Sequence, residues 1–537
     1  MLARLANQRP LFRRADAPAL FAGAFLAVPI LAAIIPGILF GGGEAWTHIA
    51  NTLLGTYALT SIGTLFLTGL LILLIAVPAA WLVTMYDFPG RGLFEWILIL
   101  PLAAPGYVFA YAYADIMGVA GPLQSLLRDV SGLTARDYWF PDIRSLPGLA
   151  TVLALTLYPY VYLTARAGFI SGSICTQEAA RSLGASPTRT FWSVALPTAR
   201  PAIIAGLALA LMEAAADYGA AEFLGVPTLT FGIVRAWGSF GDPAVAARLA
   251  LVLLTLILTL TWIERFSRGH RGSQQSSSKW RPLARIRLTG LSALTPALFC
   301  AAIALIGFVL PVGRLIWLSM EASEHVAPVM GAFRNTLILA SGGAALAFIL
   351  AVIVALTIRN ASLSSRFARL ATASGYAIPG AVLALGGLFI LKTLGLSLTG
   401  FAALFILIWV YAARFASAGT EPLQAALARA PVSIDHAARS LGAGPLKRAI
   451  KVDLPIAMSG AAAGALILFV EVLKELPATL MLRPMNWDTL SVKAYAYASD
   501  ERLAAAALPS LLITLAGLGP VLLLSWRLSR ARVSDRA

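Results

Sequence analysis

Two pairs of carboxylates stand in strongly apolar company: Glu213 and Asp217 within "LALALMEAAADYGAAEFL", Glu471 and Glu475 within "LILFVEVLKELPATLML". Each pair is spaced by four residues, one helical turn, which places both acids on one face of a helix. A shift of 258 positions superposes Glu213 on Glu471 and Asp217 on Glu475. Ionisable groups are expensive inside a bilayer and mark, by default, a pathway for a charged or polar solute. Carboxylate oxygens are hard ligands and suit a hard cation. The competing reading is a clasp or gate between helices that never touches a solute. Lys474 follows Glu471 by three residues, within pairing reach on a helix, and Glu222 and Glu475 are near enough to a membrane interface to be hydrated.

Phenol oxygens are the next candidates. "GYVFAYAYAD" carries Tyr107, Tyr111, Tyr113 and Asp115, and "LYPYVYL" carries Tyr158, Tyr160 and Tyr162. Such tyrosines serve as metal ligands, or more commonly form an aromatic belt or pack between helices. Beyond them the chain is poor in reactive groups. His48, His270 and His325 are solitary, and Cys175 and Cys300 are isolated, so no metal set and no disulfide framework can be drawn. There is no G-x-x-x-x-G-K-[ST] run and no Gly-Lys pair at all. A nucleotide site therefore has to be supplied by another polypeptide.

One polar cassette occurs twice. "EAARSLGASPTRTFWSVALP" from Glu178 returns as "HAARSLGAGPLKRAIKVDLP" from His436, with Gly184 and Gly442 again 258 positions apart. Thr176 is placed to cap a short helix with Glu178 in its first turn, and Gly184 to end it. Ser186 and Gly444 precede Pro187 and Pro445, an arrangement that restarts a helix with proline at its first position. In the second copy His436 stands where Glu178 stands in the first; with Ser433 as cap, Asp435 takes the first-turn acidic place. Two short helices joined by a tight turn make an elbow suited to docking on a soluble partner. The surrounding loops read as basic, with Arg166, Arg181, Arg189 and Arg200 in one and Arg429, Arg439, Lys447, Arg448 and Lys451 in the other.

The elements that must position these groups are apolar helices. Of 537 residues 59% are hydrophobic and 12% charged, with a mean hydropathy of +0.81, values of an all-α polytopic membrane protein. Apolar stretches of about 20 residues fall at 18–40, 58–84, 93–118, 146–170, 198–224 and 246–264, then at 291–319, 335–358, 368–392, 398–418, 457–482 and 505–526. The first reads as an uncleaved span, being too long for a signal sequence. Pro105-Gly106 and Pro379-Gly380 lie within the third span of each set; they either break the helix or are tolerated in it. The Ser/Gln-rich stretch 265–290 reads as a linker between halves 1–264 and 291–537. Six spans per half make the halves parallel repeats. Arginines before the first span, in the linker and after the last put all three, and hence both termini, in the cytoplasm. The net charge of +16 thus reports topology, and nucleic acid is not expected as a partner. Both cassettes then fall on the cytoplasmic face.

The cassettes resemble the EAA loop of ABC import permeases: Glu-Ala-Ala, three residues, Gly, nine residues, an aliphatic, any residue, Leu-Pro. Glu178, Ala179, Ala180, Gly184, Val194, Leu196 and Pro197 fit that pattern, as do Ala437, Ala438, Gly442, Val452, Leu454 and Pro455. Over nearly the whole length the chain resembles ferric iron import permeases of the fused two-half type, most specifically in "EVLKELPATLMLRPMNWDTLSVKAYAYASDERL" from Glu471. Thiamine, polyamine and phosphonate permeases share much of that architecture. The resemblance implies a permease of the bacterial inner membrane that does no covalent chemistry and binds no cofactor. It implies a periplasmic substrate-binding protein and two copies of a cytoplasmic ATPase, each gripping one cassette and using ATP. Closure of the ATPases then rocks the halves from inward- to outward-facing. An ion-coupled secondary transporter shares the topology but leaves the cassettes unexplained, and an intramembrane enzyme lacks a polar constellation.

Overall fold

The computed structural model describes residues 17–39, 43–171, 182–184, 186–268, 285–321, 326–357, 362–428 and 430–534. They are almost wholly helical, apart from Tyr86–Asp87, which pairs in parallel with Ile286–Arg287 beyond the linker. Among them nine helices are long and apolar enough to cross a bilayer, and twelve spans result if each of three sharply bent helix pairs counts as one. The outer faces carry apolar side chains: Phe66, Leu74, Leu258 and Leu298 are exposed, as lipid requires and water does not.

The helices gather into two compact units: residues 1–48, 233–251 and 326–493, and residues 49–232, 252–325 and 494–537. In the second-named unit Leu54–Met85 packs along Leu146–Ser171, which packs on Leu196–Ala216, while Leu310–Glu321 lies against Leu503–Ser534 and Gly106–Met117. In the other, Val326–Leu356 packs on Gly400–Ala428 and Ala461–Leu473. There Ala17–Leu39 lies against Leu363–Ala377 and Gly380–Thr393. The Trp409 indole N–H donates to the Phe25 carbonyl at 2.9 Å and the two rings stack at 4.6 Å. The compact units thus cut across the covalent order, and each sequence half lends its first span to the packing of the other.

The third spans are not continuous. Arg91–Ala103 meets Gly106–Ser131 at 98°, and Leu363–Ala377 meets Gly380–Thr393 at 114°. Pro105 and Pro379 sit at the two corners in extended backbone; each lacks an N–H to carry the ladder across. The apolar stretches 198–224 and 457–482 also end early as helices, at Ala216 and Leu473, before short helices Gly219–Phe223 and Pro477–Leu482. Hydropathy is blind to such breaks, because apolar residues continue through them.

Arg166, read from sequence as a loop charge, lies buried in the fourth span. It ion-pairs with Glu95, which also holds Arg91 at 3.0 Å, and Arg91 Nε donates to the Val83 carbonyl at 2.9 Å. Arg448 is likewise buried, 3.2 Å from Asp453. Removing one member of a buried pair strands the other's charge. Arg166→Met is expected to destabilise the protein by about 3 kcal/mol, read as a lowered melting temperature after purification. An unshifted melting temperature in Arg166→Met contradicts the clasp.

Candidate functional site

Gly184 and Gly442 have φ of +82° and +74°, the left-handed backbone that ends a helix and that glycine adopts without steric penalty. In the second cassette the helix Val432–Ser440 closes on Gly442: the Ala443 N–H reaches the Ala438 carbonyl at 3.0 Å, the hydrogen bond of a Schellman cap. The chain restarts at Pro187 and Pro445, and the N–H groups of Thr190 and Arg448 bond the carbonyls of Ser186 and Gly444, each at 2.9 Å. Glu178, Ala179 and Ala180 lie outside the described residues. Asp435, His436, Ala437 and Ala438 occupy the Val432–Ser440 helix. Because that helix starts at Val432, Ser433 falls inside its first turn instead of capping it.

Each cassette then widens by one residue. Over Phe191–Ala195 and Ala449–Asp453 the helix is π-wound, and the N–H groups of Leu196 and Leu454 bond five residues back, to Phe191 and Ala449. Pro197 and Pro455 follow immediately and have no N–H to offer, so the wide turn precedes the ladder's interruption in both copies. Beyond it the copies differ: Thr188–Ala216 runs on, whereas Leu446–Met458 bends by 69° into Ala461–Leu473. Leu183 and Leu441 are 87% and 85% exposed, and Trp192 and Ile450 are also exposed. These matched apolar side chains on a polar elbow form a surface suited to a protein partner.

The carboxylates sit where the fifth spans break. Helix Leu196–Ala216 stops one residue before Asp217, which takes extended backbone (φ −70°, ψ 114°); the expected shared helical face of Glu213 and Asp217 therefore ends with the helix. Asp217 Oδ1 accepts from the Ala220 N–H at 2.8 Å and so caps the next helix. Glu475 does the same for Ala478 and Thr479, both at 3.1 Å, and accepts from Arg414 Nη1 at 2.6 Å. Glu471 pairs with Lys474 at 2.8 Å. Both breaks face the corner glycine of a third span. A Cβ on Gly106 would stand 2.7 Å from Asp217 Oδ2, and one on Gly380 would collide with Glu475 Oε1 and Arg414 Nη1. The sequence reading found the acids and the Pro-Gly corners separately; the structure joins corner to acid in each unit.

Arg414 was missed, although a charge in the apolar run "ILIWVYAARFASAG" carries the same intramembrane signal as the acids. Its place in the first half, by the cassette register, holds Thr156. Asp217 and Glu213 have no ion-pair partner within 4 Å among the described residues. Tyr107, Tyr111, Tyr113, Tyr158 and Tyr162 are all buried, which is packing and not a belt. Tyr113 donates to the Ile306 carbonyl, and Asp115 pairs with Arg314. No three His, Cys, Asp or Glu side chains converge on a metal site among the described residues. Near Asp115 a cavity of about 920 Å³ is lined by Gln124, Tyr138, Asp142, Arg144 and Glu501. In the segment beside it the Thr134 hydroxyl and N–H both donate to Asp137 at 2.7 Å and hold its carboxyl below the usual range.

Residues 74–269 match the family described as binding-protein-dependent transport system inner membrane component. The Fe(3+)-transport system permease protein FbpB 2 of Haemophilus influenzae is 27% identical, over 83% of this chain and 84% of its own. A probable ABC transporter permease protein, y4fN of Sinorhizobium fredii, is 25% identical over 95% of both chains. The molybdenum transport system permease protein ModB of Escherichia coli is 28% identical, with 86% of its length on 36% of this chain. Duplicated elbows, wide turns before Leu-Pro and the extent of these similarities agree: the chain resembles inner-membrane permeases of binding-protein-dependent ABC importers and is similar along most of its length to a ferric iron transport permease.

Proposed function

We propose that the chain translocates ferric iron, delivered by a periplasmic binding protein and driven by two copies of a cytoplasmic ATPase, one on each cassette. Both termini then face the cytoplasm. The observation that carries the cargo is Asp217, a carboxylate at an intramembrane helix break with no ion-pair partner within 4 Å among the described residues. A pathway that presents such a group attracts a cation and repels an oxyanion. Similarity to an Fe(3+) permease over 83% of the chain supports the same cargo. The relatives named for molybdenum and sulfate match 36% and 42%. In this reading Glu213 and Asp217 face the pathway, while Glu471 and Glu475, held by Lys474 and Arg414, work as the fixed counterpart. The cassettes carry the coupling, through Gly184 and Gly442, the exposed Leu183 and Leu441, and the acidic first turn of each elbow.

Cells expressing the protein with its ATPase and binding protein should accumulate radioactive ferric iron and stop when ATP is depleted. Indifference of iron uptake to the protein removes iron as cargo and leaves the importer class intact. Gly184→Val with Gly442→Val forces a β-branched residue into left-handed backbone, at about 1–2 kcal/mol per site. Uptake should fall at least tenfold with membrane abundance unchanged, and normal uptake refutes the coupling role. Gly106→Ala pushes a methyl group onto Asp217; a several-fold loss of uptake is expected at unchanged membrane abundance, and unchanged uptake refutes the role of this contact.

A further inference from the structure

Resting on the ferric-importer reading, we propose that the Asp217 break carries a transit site for a hard trivalent cation, built from Asp217, Glu222 and the phenol oxygens of Tyr111, Tyr218 and Tyr495, and that its duplicated counterpart does not.

All five residues belong to one compact unit. The Tyr111 side chain is 2% exposed, and its hydroxyl has no hydrogen-bond partner among the described residues. A buried hydroxyl left without a partner is a standing cost that a ligand relieves. The ionisable groups acting on that hydroxyl are Tyr107, Tyr495, Asp217 and Glu222. The Tyr111 ring meets Phe223, next to Glu222, edge-on at 4.6 Å. The Tyr218 and Tyr495 hydroxyls lie 3.0 Å apart, and Glu222 is close to Tyr495. By solvent exposure, Asp217, Glu222 and Tyr495 are only partly buried. Arg144, which stands 5.6 Å from the Phe223 ring centre, is engaged with Glu501 at 3.7 Å. Two carboxylates therefore share the cluster with phenols and without a salt bridge among the described residues. Phenolate and carboxylate oxygens are hard donors, the class a small, highly charged cation prefers.

The duplicated copy gives an internal control. The cassette register puts Leu476 and Leu480 where Tyr218 and Glu222 stand, and the Pro-Gly corners put Leu385 opposite Tyr111. Past the break the register moves by three. Ser61 Oγ accepts from the Leu229 N–H as Thr336 Oγ1 does from Leu490, both at 2.8 Å, so Val234 matches Tyr495. Every phenol and the second acid are thus aliphatic in the other unit. The remaining carboxylate, Glu475, is neutralised by Arg414 at 2.6 Å. One copy has a bare oxygen cluster and the other a closed ion pair.

The test uses the full chain in lipid nanodiscs titrated with ferric nitrilotriacetate, read by the visible phenolate-to-iron charge-transfer absorption. A saturable band is expected, displaced by gallium(III) and indifferent to sulfate and molybdate. Tyr111→Phe and Asp217→Asn should each weaken apparent binding at least tenfold, whereas Tyr158→Phe, which removes another unpartnered hydroxyl of the same unit, should not. If Tyr111→Phe does not fold, the partly exposed Tyr495→Phe replaces it. No band, or a band untouched by these variants, overturns the site; ferric uptake that persists in cells without a band leaves the importer reading standing and removes only this one.

Discussion

A polypeptide that breaks its helix inside a bilayer has no water to satisfy the backbone groups it frees, so the protein itself must supply partners. In this chain that duty falls on Asp217 and Glu475, whose oxygens accept the first N–H groups of the helices beyond each break. The same carboxylates face the corner glycines of the third spans, Gly106 and Gly380. Two interruptions of regular structure are thereby stacked on one side chain in each unit. A charge in the membrane is tolerated because it works as a cap, and a charge that works as a cap is then available at the break.

The duplication preserved the mechanics and let the chemistry diverge. Left-handed glycines, π-wound turns, Leu-Pro junctions and exposed leucines recur in register in the two cassettes. At the breaks only the capping acid recurs. Arg414 and Thr479 lock Glu475 on three sides, while Thr156 stands in the register of Arg414 and spends its hydroxyl on its own helix, at the Val152 carbonyl. The two matching elbows thus lead into two unlike interiors.

The cassettes were legible because polar residues in an apolar chain are conspicuous and because positive-φ glycine before proline has few alternatives. The spans were legible for the same thermodynamic reason, long apolar runs. Their interruptions were not: Leu207 to Leu224 stays apolar enough to read as one helix, and the break at Asp217 is decided by the packing against Gly106. Arg166 and Arg448 misled, since a basic residue beside a cassette reads as a loop charge until its buried partner, Glu95 or Asp453, is in view. Arg414 carries the same sequence signal as the acids, a charge inside an apolar run, and differs from them only in sign. The exchange of first spans had no signal, as sequence neighbours are the default packing partners.

That exchange imposes an order on synthesis. The contact between Phe25 and Trp409 spans 384 residues, so Ala17–Leu39 reaches its resting place only after that much further chain has been made. Until then Ala17–Leu39 has lipid for company, which its apolar surface accepts at little cost. Leu291–Ala304, by contrast, emerges after Leu54–Met85 and Arg91–Ile97, on which it packs, whereas Leu310–Glu321 must itself await Leu503–Ser534. Both units therefore hold a helix that waits for later chain, and joining the halves in a single polypeptide keeps each waiting helix beside the bundle that will take it.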